Sequence, residues 1–274
     1  MRRALLYLGL LTILTGTFLL HNHSITAFQP TSRGIGLIVI GAALGISSTL
    51  LQGFYKNLNA DPGFMGITTG SVLGAILGIH LGFQFGSRIG ILIAVGFALI
   101  SFYIFDWASK SFLTNGILIT LIFSTFILLL TERAKLDGTY WTLGSFNELD
   151  KHNVKLFAPF VEVGIITSFF IARHISKISA RNKLAVGIGV AFLIGPFVAT
   201  TGALIGFGLF VPNLTRRLIK GDTRRVLSYA ALVGPIVLLL MDIAINHLNE
   251  ISVSALAIPI GFLLSRFGKE QAQS

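Results

Sequence analysis

Two carboxylates, Glu162 and Asp242, stand alone inside long apolar runs, and their chemistry needs an explanation. A charged group at membrane depth costs at least about 2.5 kcal/mol, so each requires a partner or a task. The functional reading is a proton relay or a cation site. The structural reading is a carboxylate bonded to backbone or hydroxyl groups between helices. The structural reading is preferred, because the two lie in separate runs with no basic partner nearby in sequence. His21 and His23 follow an apolar run and read as solvated loop histidines, not metal ligands. The chain has no cysteine, which excludes disulfides, iron–sulfur clusters and thiolate zinc sites. It also lacks a GxxxxGK[ST] phosphate loop, an HExxH pair and a GxSxG nucleophile elbow. No catalytic constellation is present, so the expectation is no enzyme activity, no cofactor and no metal site.

The elements that would position these residues follow from composition. Of 274 residues, 53% are hydrophobic and 12% charged, with a mean hydropathy of +0.81. Soluble domains carry roughly 25% charged residues. Several runs reach the roughly 18 residues needed to cross a bilayer, so the fold class is an all-α polytopic membrane protein. Spans are expected at about Ala4–Leu20, Gly34–Gly53, Phe64–Phe83, Ile89–Trp107, Gly116–Leu130 and Val154–Ala172, and later at Leu227–Ile245 and Ser252–Phe267. Between these sets, Leu184–Leu218 is too long for one span. It is interrupted at Ala199–Gly202 and Gly206–Gly208, and therefore splits into a seventh helix and a short eighth. The total is about ten. The first span follows Met1-Arg2-Arg3 and is not followed by a small-x-small cleavage site, so it reads as a retained anchor. Residues 1–274 are expected to form one transmembrane domain, with no linker or second soluble domain visible.

The net charge of +10 could suggest nucleic acid, but charge topology explains it better. With ten spans, fifteen of the 21 Lys and Arg residues fall in loops on the Met1 side. The positive-inside rule then makes both termini cytoplasmic. The dense basic segment Leu214–Arg225, with Arg216 and Arg217, fits anionic lipid head groups or a soluble docking partner.

Leu51–Gly74, LQGFYKNLNADPGFMGITTGSVLG, is a polar hinge between two apolar runs. Beyond it, Gly70, Gly74 and Gly78 lie one turn apart and predict a close-packing helix face. Thr68, Thr69 and Ser71 give the same helix a hydroxyl-bearing start, suited to a wet pathway or to bonds between helices. The outward loop Thr139–Asp150 combines Trp141, an interfacial-belt residue type, with a polar, acidic tip.

Several segments together resemble the FecCD-type permease subunits of ABC importers for iron chelates, haem and vitamin B12. GAALGISSTLLQGFYKNLNADPGFMGITTGSVLGA is similar to that family's second and third helices. YWTLGSF, Tyr140–Phe146, resembles its W-x-x-GS loop. TTGALIGFGLFVPNLTRRLIKGDTRRVL resembles its GxIxFIGLVVPH segment, and LLLMDIAIN with the Ile258-Pro259 helix resembles its final pair. The match is collinear from about Arg33 to Phe267.

The resemblance implies a type II ABC importer permease in the bacterial cytoplasmic (inner) membrane. It implies a second permease subunit, identical or paralogous, two cytoplasmic ATPase subunits and an extracytoplasmic substrate-binding protein. The family's N-P-L turn and fifth-helix start form a cytoplasmic gate, which would place Asn57, Asn59, Thr114 and Asn115 there. Asp61, Pro62, Gly63, Thr68 and Ser71 would begin the pathway helix. Arg33 and Trp141 would face the binding protein. Arg173, Lys177 and Arg181 in the short loop RHISKISARNK, with Arg216 and Arg217, would couple to the ATPase. The chain departs from the pattern in three places. Asn57-Leu58-Asn59 replaces Asn-Pro-Leu, Asn213 replaces a histidine after Pro212, and loop 173–183 is shorter than the family's pair of coupling helices. An ion- or proton-coupled carrier using Glu162 and Asp242 is the alternative, with a non-transporting paralogue behind it.

Overall fold

The computed structural model describes residues 29–108, 112–136, 138–146, 149–174, 183–219 and 223–248. Those residues form helices joined by turns: α1 (Gln29–Tyr55), α2 (Ile67–His80), α3 (Arg88–Trp107), α4 (Phe112–Ala134), α5 (Gly138–Leu143), α6 (Lys151–His174), α7 (Lys183–Thr201), α8 (Phe207–Leu218) and α9 (Thr223–Leu248). The expected spans at Ala4–Leu20 and Ser252–Phe267 lie outside the described residues, as do His21 and His23. Among the described residues, six helices are long and apolar enough to cross a membrane: those containing Ser32–Tyr55, Arg88–Trp107, Thr114–Ala134, Lys151–Ala172, Lys183–Thr201 and Thr223–Ile243.

Two expectations need correction. The third span is shorter than Phe64–Phe83, because α2 has only 14 residues. That is about 21 Å of helix, against roughly 30 Å of hydrocarbon. The loop expected to face outward, Thr139–Asp150, is also not all loop: its start lies in helix α5, whose Thr142 hydroxyl donates to the carbonyl of Gly138 at 2.8 Å. The division of Leu184–Leu218 is seen as the break between α7 and α8, and Gly202 (φ 70°) and Gly206 (φ 86°) supply its left-handed backbone.

Small residues set the helix spacing. Gly70, Gly74 and Gly78 of α2 face Ser101, Phe97 with Ala94, and Gly90 of α3 in turn, so the two helices run antiparallel along this seam. At the α1–α9 crossing, a Cβ on Gly41 would lie 2.7 Å from the backbone of Gly234 and Pro235. A Cβ on Gly195 would meet the Val95 backbone at 2.7 Å, holding α7 against α3. Without a strong hydrophobic drive between helices in lipid, such close approach is a main source of association. The core centres on α1 and α7, with Leu44, Ile46, Leu50, Val190, Ile194 and Phe197 fully buried. Helix α4 lies outermost and presents Leu118, Leu121, Phe126 and Leu129 outward, each more than half exposed.

Candidate functional site

The hinge is built by a chain that leaves α1 and folds back into the protein. Lys56 adopts φ 51°, an uncommon left-handed conformation for a non-glycine residue. The N–H of Asn57 then bonds the Gln52 carbonyl at 3.2 Å and the N–H of Ala60 bonds the Asn57 carbonyl at 3.0 Å. The Asn57 side chain accepts from the Asn59 N–H at 3.0 Å. This local bond suits Asn and gives the turn without the family's proline. Asn57 and Asn59 are both half-buried.

Asp61 ends the turn as a bonding centre with 1% exposure. Its carboxylate accepts from Gly63 N at 2.9 Å, Phe64 N at 3.2 Å and Ser48 Oγ at 3.3 Å, and from the Gly206 N–H at the start of α8. These four donors supply the bonds that a buried carboxylate needs. Ser48 lies seven residues before the end of α1, so Asp61 sits about 10 Å inside that end. Non-helical backbone at such depth is tolerated only where protein encloses it, and Ala60, Asp61, Pro62, Gly63 and Met65 are all buried. This inward fold explains the short α2.

The start of α4 closes on the same turn. A Cβ on Gly66 would meet Ile119 Cγ2 at 2.5 Å, Gly116 has no room against the Phe64 carbonyl, and the Thr120 hydroxyl donates to the Gly63 carbonyl at 3.4 Å. Asn115 donates to the Ala108 carbonyl at the end of α3, while Thr114 is exposed. The start of α4 therefore meets Gly63, Phe64 and Gly66 after the turn, through Gly116, Ile119 and Thr120, whereas the bond described for Asn115 runs to α3 and that between the Asn57 side chain and Asn59 stays within the turn. Thr68 and Ser71, with Thr69, are buried within this one chain, and their hydroxyls have no hydrogen-bond partner among the described residues. Elsewhere Thr49, Ser101, Thr131 and Thr215 bond the carbonyl four residues back.

Further bonds cluster at the end of the bundle that carries Tyr55 and Lys183. The Gln52 amide donates to the Leu58 carbonyl at 2.9 Å and accepts from Arg216 Nε at 3.4 Å. Asp106 accepts from Lys183 Nζ at 2.8 Å and from the Tyr55 hydroxyl at 3.4 Å. Arg224 donates to the Ala172 carbonyl at 3.0 Å, tying the last turns of α6 to α9. Ala172 near the end of α6 and Lys183 at the start of α7 are thus each bonded to another helix. Arg173 lies in the final turn of α6, Arg217 is exposed on α8, and Lys177 and Arg181 lie outside the described residues. Gln52 and Asp106 were not singled out from sequence. Asp106 had a signal: it is an acidic residue amid a basic set of loops.

At the opposite end two expectations change. Asp242 does have a basic partner: Arg33 Nη2 lies 2.6 Å from its Oδ1 and Nε 3.3 Å from Oδ2. Arg33 is therefore paired inside the chain, with its side chain still 32% exposed. Trp141, expected on the docking face, is only 3% exposed. Its ring packs edge-on to Phe85 at 5.6 Å, and its carbonyl accepts from the Ala203 N–H at 3.0 Å, because α5 folds the loop inward against the α7–α8 break. Glu162 is half-buried on α6. No group of three or more His, Asp or Glu residues able to hold a metal occurs among the described residues.

Known proteins share both the sequence and the fold. The Iron-uptake system permease protein FeuB of Bacillus subtilis (strain 168) is 27% identical over 91% of this chain and 84% of its own length. The Hemin transport system permease protein HmuU of Yersinia pestis is 27% identical, over 84% and 76%. The Molybdate import system permease protein MolB of Haemophilus influenzae is 29% identical, over 84% and 76%. A solved inward-facing ABC transporter, described as of the metal-chelate type, superposes with a TM-score of 0.75 over 100% of both chains at 22% identity, a likeness that shows the fold. The FecCD transport family model matches residues 10–268; with nearly the whole chain covered, this protein belongs to the FecCD transport family.

Proposed function

We propose that this chain is the permease subunit of an ABC importer that carries a metal chelate, such as a ferric siderophore, haem or a corrinoid, across the bacterial cytoplasmic membrane. The match to the FecCD family over residues 10–268 carries this reading, and relatives named for iron and hemin transport support the substrate class. The chain would work with a second permease subunit, two ATPase subunits that hydrolyse ATP, and an extracytoplasmic binding protein. It would cross the membrane about ten times as one domain, with both termini cytoplasmic. The turn Asn57–Asn59 and the start of α4 at Thr114 and Asn115 would form the cytoplasmic gate, with Asp61–Gly63, Thr68 and Ser71 opening the pathway helix. Arg173, Lys177, Arg181, Arg216 and Arg217 would form the ATPase face. Arg33 and Trp141 would act at the binding-protein face through the fold they hold rather than by direct contact.

Reconstitution in liposomes with the candidate ATPase and binding protein tests the reading. ATP hydrolysis should rise with one of haem, ferric hydroxamate, ferric catecholate or cobalamin bound to the binding protein. No association with an ATPase, or uptake that survives without ATP and collapses with the proton gradient, would overturn it.

A further inference from the structure

Helix α8 is tied to the hinge at both of its ends. At its start, the Asp61 carboxylate takes the Gly206 N–H. Gly208 packs so closely on Asp61 and Ser48 that a Cβ there has no room. At its far end, Arg216 meets the Gln52 carbonyl oxygen, and the other half of the same amide holds the Leu58 carbonyl in the turn. Gln52 is 2% exposed, and its own backbone carbonyl accepts the N–H of Asn57. One side chain therefore spans two elements that are not adjacent in sequence. Arg216 is half-buried and neighbours the exposed Arg217, so a force applied to this basic end has a bonded route to residues 57–59.

We infer that Gln52 is a positioning residue that ties α8 to the turn Asn57–Asn59, making the two move as one body. Its meaning for transport rests on the gate reading above, under which the basic end of α8 is a second lever on the gate beside loop 173–183. An amide suits this task. It donates to the turn and accepts from the arginine at once, whereas a carboxylate could only accept and an alkyl group could do neither.

The chain has no native cysteine, so a single Leu58→Cys in the full chain reports on the turn without background. Its reaction with a maleimide is measured in liposomes, beside a buried reference, Ala94→Cys on α3. Arg216→Ala and Gln52→Ala should each speed modification at Leu58→Cys about fivefold, the scale of one lost hydrogen bond, without changing the rate at Ala94→Cys. The double variant should be no faster than the faster single, and Arg216→Lys should restore most of the parent rate. Unchanged rates at Leu58→Cys, equal acceleration at Ala94→Cys, or effects that multiply in the double variant would each overturn the inference. Should Gln52→Ala fail to fold, Arg216→Ala and Arg216→Lys decide alone. Substrate-independent leak separates this inference from the gate reading. If labelling responds while Asn59→Leu leaves leak unchanged, the tie stands and the gate assignment falls. If Asn59→Leu tightens the gate while labelling is inert, the reverse holds.

Discussion

Arg33 near the start of α1 grips Asp242 on α9 through two nitrogens, at 2.6 and 3.3 Å, across 209 positions of sequence. The pair locks together the helices that cross most closely at Gly41 and Gly234. It also gives a carboxylate in an apolar run the partner it needs.

Breaking this pair should cost stability in a way that a double substitution repairs. Arg33→Met or Asp242→Leu alone should destabilise by about 1–3 kcal/mol, since each strands a charge. The lower part of that range is expected, because the Arg33 side chain is 32% exposed and solvent screens it. The double variant should recover most of the loss in thermal unfolding in detergent. Equal losses in the double and single variants would show that the pair contributes nothing specific.

Glycine packing around Asp61 gives a steric test. Gly208→Ala would press on the Asp61 carboxylate and on Ser48, and should destabilise by about 2 kcal/mol or more. Gly34 and Gly96 have open space where a Cβ would stand, so alanine at either is the matched control and should fold normally. Comparable losses at all three positions would remove the steric explanation.

The buried hydroxyls of Thr68, Thr69 and Ser71 separate packing from transport. They make no bond among the described residues, so Thr68→Val and Ser71→Ala should leave stability unchanged or raise it by up to about 1 kcal/mol. If these hydroxyls serve the pathway, uptake should fall while stability holds. Uptake equal to the parent's would assign them to packing alone.

At the turn, Asn59 stands where the resemblance places an apolar residue. Asn59→Leu should reduce substrate-independent leak of a small reporter from liposomes, since a half-buried amide offers water a path that an alkyl group closes. Leak equal to the parent's would count against a gate at this turn.

The helical membrane class, the six described spans and the break between α7 and α8 were all readable from the chain. Apolar length and a Gly-Thr interruption are properties of a local window, and a bilayer reads the same window. The Gly70–Gly74–Gly78 seam was readable for the same reason, since its spacing repeats with the helix turn. Three things were not. The partner of Asp242, the depth of Asp61 beside Ser48 and the Gln52 bridge from Leu58 to Arg216 each join segments whose meeting depends on the order in which helices pack. No window of neighbouring residues encodes that order. Trp141 shows the same limit: its type suited an interfacial belt, and only the fold of α5 against the α7–α8 break turned it inward. The sequence alone determined which described helices are long and apolar enough to cross a membrane. Tertiary structure decided which polar groups inside them meet, because burying a charge or a backbone break is tolerable only where another element supplies its bonds.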